Sequence, residues 1–137
     1  MDKSTIILSI HPNHIEKIFS GEKMYEYRKY LPEGIKYIIV YATAPIKLVV
    51  AIIEIERIIK GNIEAVWNTT HEHAGITKSF YLRYFNKYQI AYAAQFKSVH
   101  KLKTPMPLSN IGSNIHAPQS FIYCNNGIKN IYKIFDL

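Results

Sequence analysis

The sequence predicts an α+β fold: a small, mostly antiparallel β-barrel with short helices set between its strands. Three observations carry this. Apolar, β-branched and aromatic runs recur at 5–10, 36–41, 47–59 and 89–102, the composition of strands. Between them, apolar residues spaced three and four apart mark only brief helical stretches. Finally, 137 residues with 48% hydrophobic and 20% charged composition suit one globular domain with a real core, spanning 1–137.

The first strand, 5–10, is β-branched and apolar, and His11-Pro12-Asn13 ends it. Asn13 is predicted as a helix N-cap, with Glu16 three positions on completing a capping-box pattern. Ile15, Ile18 and Phe19 then share one helical face, and Gly21 after Ser20 supplies the stop. A second strand runs through Tyr25-Glu26-Tyr27-Arg28, followed by a turn at Leu31-Pro32-Glu33-Gly34. Residues 36–41 read as a buried strand ended by Ala42-Thr43-Ala44-Pro45. The longest strand, 47–59, alternates over Ile53-Glu54-Ile55-Glu56-Arg57-Ile58, so one face is wet, and Gly61 is expected to break it. Ile63, Val66 and Trp67 predict one short helix; Phe80, Tyr81, Tyr84 and Phe85 predict another. A strand at 89–102, a turn at 104–107 and a helical turn at 108–111 follow. Ala117-Pro118-Gln119-Ser120-Phe121 reads as a loop entering a last element, with 122–137 closing the core as helix or strand.

The formal charge is +7, from 17 basic against 10 acidic residues, which favours anionic partners such as nucleic acid or nucleotides. The bases are spread along the chain, so a compact positive face is expected rather than a charged tail. Eleven tyrosines add flat rings with a polar handle, suited both to core edges and to stacking on a base. Cys124 is the single cysteine, which excludes an intrachain disulfide and predicts a cytoplasmic location; beside Phe121-Ile122-Tyr123 it reads as a buried small residue. No run reaches the length of a membrane span, and the N-terminus lacks the apolar stretch of a signal peptide.

The segment with most chemistry is Gly21-Glu22-Lys23-Met24-Tyr25-Glu26-Tyr27-Arg28. In a strand, residues two apart share a face, so Glu26 and Arg28 project together and Tyr25 and Tyr27 project opposite. Lys23 has the tyrosine parity but sits at the loop-to-strand joint. The bland alternative is a solvated face of weak ion pairs. His71-Glu72-His73 has histidines two apart rather than the four of a helical zinc site, and its neighbours read as loop, so no metal is expected. His11, His14, His100 and His116 stand alone and read as surface or structural residues. There is no phosphate-binding glycine loop, dinucleotide fingerprint or nucleophile elbow, and no cofactor is expected.

Several segments together resemble the ASCH domain family, a branch of the PUA-like superfamily. The octapeptide fits that family's G-x-K-x-x-E-x-R pattern at every fixed position. Ser9-Ile10-His11-Pro12, Tyr41-Ala42-Thr43-Ala44-Pro45, the aromatics Trp67, Tyr81, Tyr84 and Phe85, and Pro118-Gln119-Ser120-Phe121 match it in order. The resemblance implies a PUA-like barrel whose cleft holds the lysine-glutamate-arginine segment and binds RNA or a modified nucleoside. Two readings follow. In a binding module, Lys23 and Arg28 hold a phosphate or carbonyl oxygen, Glu26 accepts from an amine or orients Arg28, Tyr25, Tyr27 or Tyr123 stacks on a base, and Thr43, Gln119 and Ser120 add polar contacts. In an enzyme, Lys23 and Glu26 are the catalytic pair of a metal-independent hydrolase. One ASCH subgroup hydrolyses the amide of N4-acetylcytidine with the motif lysine, a threonine three residues later and a distant glutamate. Lys23 matches that lysine; the threonine position holds Glu26; Glu54, Glu56, Glu64 and Glu72 all remain open for the glutamate. Some ASCH proteins are ribonucleases, which keeps phosphodiester hydrolysis open as well. No membrane or protein partner is implied.

Overall fold

Two long strands organise the molecule: β4 (Leu48–Asn62) and β5 (Ile90–Met106), antiparallel along their whole length. The computed structural model describes residues 3–112, 115–124 and 133. Four shorter strands, β1 (Thr5–Ile10), β2 (Tyr25–Arg28), β3 (Tyr37–Ala42) and β6 (Phe121–Tyr123), complete one sheet in the order β2-β5-β4-β3-β1-β6. Only β1 and β3 run parallel among these pairs, because α1 (Pro12–Ser20) and β2 intervene between them in sequence.

β3 pairs with the first half of β4, while β2 pairs with the opposite half of the hairpin, at 92–95 of β5. Register shifts at Glu54/Ile55 and Ile55/Arg57 bend the hairpin between those halves. The sheet therefore curls into a half-barrel. Across the mouth of the curl, Arg28 Nη2 donates to the Ser9 carbonyl at 2.9 Å, and the Tyr30 and Phe121 rings lie 6.2 Å apart. The concave side holds the main core, with Leu8, Ile38, Ile53 and Phe96 from the strands and Ile15 and Ile18 from α1. A second cluster on the convex side includes Ile7, Ile39, Ile52, Leu102 and Cys124. A third lies under α2 (Ile63–Thr70) and α3 (Lys78–Tyr84), built from Tyr27, Trp67, Tyr81 and Phe85.

The predicted α+β barrel-like architecture is present, and four local expectations are corrected. The N-cap of α1 is His11, whose Nδ1 accepts the Asn13 N–H at 3.1 Å; Pro12, with its fixed φ and no N–H, takes the first turn and draws Asn13 inside the helix. Gly61 does not end β4: it pairs with Ala91, and Asn62 both closes the strand and caps α2 through its side chain. The expected turn at 104–107 is strand up to Met106, which pairs with Val49. Residues 102–105 bulge against Val50 there, so Pro105 needs no ladder N–H. The sheet has six strands where about five are legible in sequence. The expectation for 122–137 is met by β6 at its start; beyond Cys124 it lies outside the described residues, apart from Lys133. Among the described residues, no helix is long and apolar enough to cross a membrane.

Candidate ligand cleft

The cleft forms where α1 hands over to β2. Gly21 ends the helix at φ +86°, a conformation that costs glycine nothing, and its N–H returns to the Ile18 carbonyl. The next residues are pinned on both sides: Lys23 N–H donates to Lys17 O at 3.0 Å, Met24 N–H to His73 O at 2.9 Å, and Phe96 N–H to Met24 O at 3.0 Å. Lys23 is thereby delivered into the interior, 3% exposed. Its Nζ donates to Ala74 O at 3.0 Å and lies 5.0 Å from the Tyr27 ring centre. Lys17 Nζ donates to the neighbouring Gly75 carbonyl at 3.0 Å, so one short loop holds two ammonium groups. That loop fits only because residue 75 is glycine: a Cβ there would lie 2.5 Å from Lys23 Cβ.

The strand parity expected for Glu26 and Arg28 holds in the structure. Arg28 Nε and Nη2 both approach Glu26 Oε2 at 2.8 Å, with Glu26 buried, and Nη2 also serves Ser9 O. Ser9 Oγ in turn donates to Pro118 O at 2.7 Å, so the guanidinium is tied to the loop before β6. Lys23, Glu26 and Arg28 line a cleft of about 200 Å³. Its remaining wall is aromatic and apolar: Tyr27, Ile76, Phe80 and Tyr84, with His14 from α1.

Electrostatics follow from burial. Desolvation lowers the Lys23 pKa below its ordinary value; the Glu26 charge pulls it back up, and Lys17 and Arg28 push it further down. His14 is lowered by burial first and then by Lys23. Tyr27 is pushed up to about 12 by burial, despite its hydroxyl bond to Thr70 Oγ1 at 2.7 Å. Tyr84 is raised by burial too.

The other sequence-predicted residues lie elsewhere. Tyr25 stacks on Tyr27 at 6.4 Å and packs against the third cluster. Thr43 sits in the loop after β3, its N–H on Ile10 O. Gln119 and Ser120 are exposed beside Pro118, one residue link from the Arg28 network. Tyr123 packs against the main core from β6. None of these lines the cleft, nor does any of the four candidate distal glutamates: Glu54 faces Lys97, Glu64 pairs with Lys78, and Glu56 and Glu72 are outside its wall. His71–His73 forms a 3-10 turn, and no cluster of three metal-ligating side chains occurs among the described residues. Sequence reasoning missed His14, Ile76, Phe80 and Tyr84 as cleft wall. The available signal was positional: His14 precedes buried Ile18 by one helical turn, and Phe80 and Tyr84 are likewise four apart.

No family model matches the chain. Over 127 residues it is 28% identical to the ASCH domain-containing ribonuclease of Zymomonas mobilis, covering 89% of this chain and 85% of that protein. Over 125 residues it is 29% identical to ATP synthase subunit alpha of Ureaplasma parvum; this covers 90% of the chain but only 16% of that subunit's length. Among solved structures, the crystal structure of ASCH from Zymomonas mobilis superposes with a TM-score of 0.85 at 26% identity, covering 99% of this chain and 96% of that one.

Proposed function

Taking the chain as a member of the ASCH domain family, with its PUA-like fold, we propose that the cleft binds RNA through one unstacked nucleotide. The observation carrying this is the meeting of one ammonium, one guanidinium–carboxylate pair and aromatic rings in a single concavity. Among the described residues Lys23 spends one hydrogen-bond donor, on Ala74 O, and has two more to offer an anionic oxygen. Glu26 neutralises Arg28 and makes no ion pair with Lys23, so the local surplus is one positive charge. Among the described residues Arg28 commits Nε and Nη2, so Nη1 is the donor offered to the guest. Phe80 and Tyr84 offer stacking faces. The volume is below the ~300–1,000 Å³ of drug-sized sites, which suits one base and not a duplex. Fluorescence anisotropy with single-stranded RNA tests this: affinity should fall steeply between about 50 and 200 mM salt, and Lys23→Met should weaken it. Salt-insensitive or absent binding overturns the reading.

A second reading, ribonuclease activity, is favoured by the lowered Lys23 pKa and by the name of the Zymomonas mobilis relative. A lysine depressed by burial exchanges its proton nearer neutrality than a free one. It can protonate a leaving 5′-oxygen or hold a non-bridging phosphate oxygen. Glu26, bound to Arg28, is less free to act as the base. Loss of RNA cleavage in Lys23→Ala, against retained cleavage in a surface lysine variant, is the expected result. Hydrolysis of a nucleobase amide retains only Lys23 in the cleft, without the distant glutamate.

A further inference from the structure

Almost every polar group facing the cleft has a protein partner. Lys23 donates to Ala74, Glu26 and Arg28 bond each other, Tyr27 donates to Thr70, and the Tyr84 hydroxyl meets the Lys29 backbone. His14 differs. Its Nδ1 is buried and makes no hydrogen bond among the described residues. Its ring contacts are the Phe80 ring at 5.9 Å and the His11 ring at 6.3 Å, both near edge-on. A buried ring nitrogen without a protein partner favours a turn of the imidazole that brings it to a polar group held in the cleft, which His14 lines.

The surroundings indicate what that molecule presents. Lys23, Lys17 and His11 oppose a positive charge on His14, and only Glu26 favours one. Burial acts in the same direction, so the imidazole is neutral near pH 7 and offers one donor and one acceptor. That pattern complements a base edge better than a phosphate. The neighbouring wall, Phe80 and Ile76, is flat and apolar.

We infer that His14 is the base-reading residue of the cleft: its imidazole hydrogen-bonds the edge of a nucleobase packed against Phe80, while Lys23 attracts the strand without regard to sequence. The inference rests on the RNA-binding reading above and adds the residue that sets base preference. Base preference at this position needs no new charge, only a hydrogen bond from the imidazole that lines the cleft.

Homopolymeric RNA octamers of each base, titrated into wild type, His14→Phe and His14→Gln, test it. Wild type is expected to favour its best base over its worst by about 3- to 10-fold, the range of one net hydrogen bond. His14→Phe, which keeps a ring against Phe80, should compress that spread to about 2-fold or less and keep the salt dependence. His14→Gln should restore part of the preference. A wild type with no preference, or a His14→Phe variant with the preference intact, overturns the role of His14 and leaves RNA binding standing. Absence of binding to every octamer overturns the binding reading and this inference with it. Thermal melting of both variants verifies folding; should His14→Phe not fold, His14→Gln against wild type decides, an unaltered preference counting against the role.

Discussion

Gly75→Ala is the sharpest perturbation of the cleft, although residue 75 carries no side chain. Two costs add. Residue 75 adopts φ +70°, and a Cβ in that left-handed region costs roughly 1–2 kcal/mol relative to glycine. The new methyl also meets Lys23 Cβ at 2.5 Å, Cγ at 2.8 Å and Cα at 3.1 Å. These atoms lie at the root of the side chain and cannot swing aside as an ammonium tip would. Either the 74–75 loop or the entry to β2 must shift, an overpacking cost of about 1–3 kcal/mol. The sum, about 3.5 kcal/mol at its centre, lowers the melting temperature by roughly 14 °C at about 4 °C per kcal/mol for a domain of this size. The same shift displaces the carbonyls that hold Lys23 and Lys17, so RNA affinity falls together with stability. Gly34→Ala is the control: nothing lies within 4 Å of its Cβ, and its melting temperature should stay within a few degrees of wild type. Circular-dichroism melts and anisotropy on both variants decide the matter. A Gly75→Ala protein that melts with wild type and binds RNA unchanged refutes the packing argument.

Lys23→Met should weaken RNA binding about tenfold or more, the loss of a charge-assisted contact, yet leave the melting temperature at pH 7 unchanged or raised, because a desolvated cation is removed. Lys23 has a folded pKa below its unfolded 10.5, so between the two the unfolded chain holds more protons; wild-type stability therefore gains as pH rises through that window, and Lys23→Met, followed by urea titration, should lack the gain. Tyr27 behaves in the opposite sense: its pKa of about 12 exceeds the usual 10, so it favours the folded state up to pH 10 and that contribution to stability is lost as pH rises beyond. Tyr27→Phe should blunt alkaline unfolding while costing only about 0.5–1.5 kcal/mol at pH 7, since Thr70 still donates to Val66 O. Arg28→Lys cannot hold both Glu26 and Ser9 O with one ammonium in the same geometry; a fall of about 1–3 kcal/mol in unfolding free energy, read as a lower urea midpoint with the slope unchanged, is expected.

The cleft's charged floor was legible in the sequence because it depends on short-range geometry. Alternation along Tyr25-Glu26-Tyr27-Arg28 dictates which head groups meet, and Gly21 dictates where the helix stops. What was not legible depends on long-range register. The bulges at Glu54, Ile55 and Arg57 leave the apolar pattern of β4 intact while turning the hairpin, and the curl they produce brings Arg28 to Ser9 and Pro118. Gly61 and Pro105 carry local signals of breaks, yet the β4–β5 ladder absorbs both. Gln119, Ser120 and Thr43 belong to matching segments, but register puts them outside the cleft wall. His14 escaped because its one-turn spacing to Ile18 marks only a helical face; packing against Phe80 across the cleft is what gives it a role.

On the proposed reading, the burial of Lys23 serves binding rather than folding. A lysine needed merely for packing would keep its ammonium in solvent and bury only its stem. Here the head group is inside, its carboxylate neighbour is already taken by Arg28, and its protein contacts are one neutral carbonyl and the Tyr27 ring. Such an arrangement disfavours the charged form in the free protein. An anionic guest in the cleft reverses the balance, since it supplies the opposite charge that the fold withholds. Ligand binding should accordingly raise the Lys23 pKa and take up protons in buffers above the free-state pKa. Calorimetry of RNA binding at alkaline pH, in two buffers of different ionisation enthalpy, measures that uptake directly; it should vanish in Lys23→Met, and proton-neutral binding by wild type across the alkaline range would contradict the assignment of Lys23 as the anion's partner.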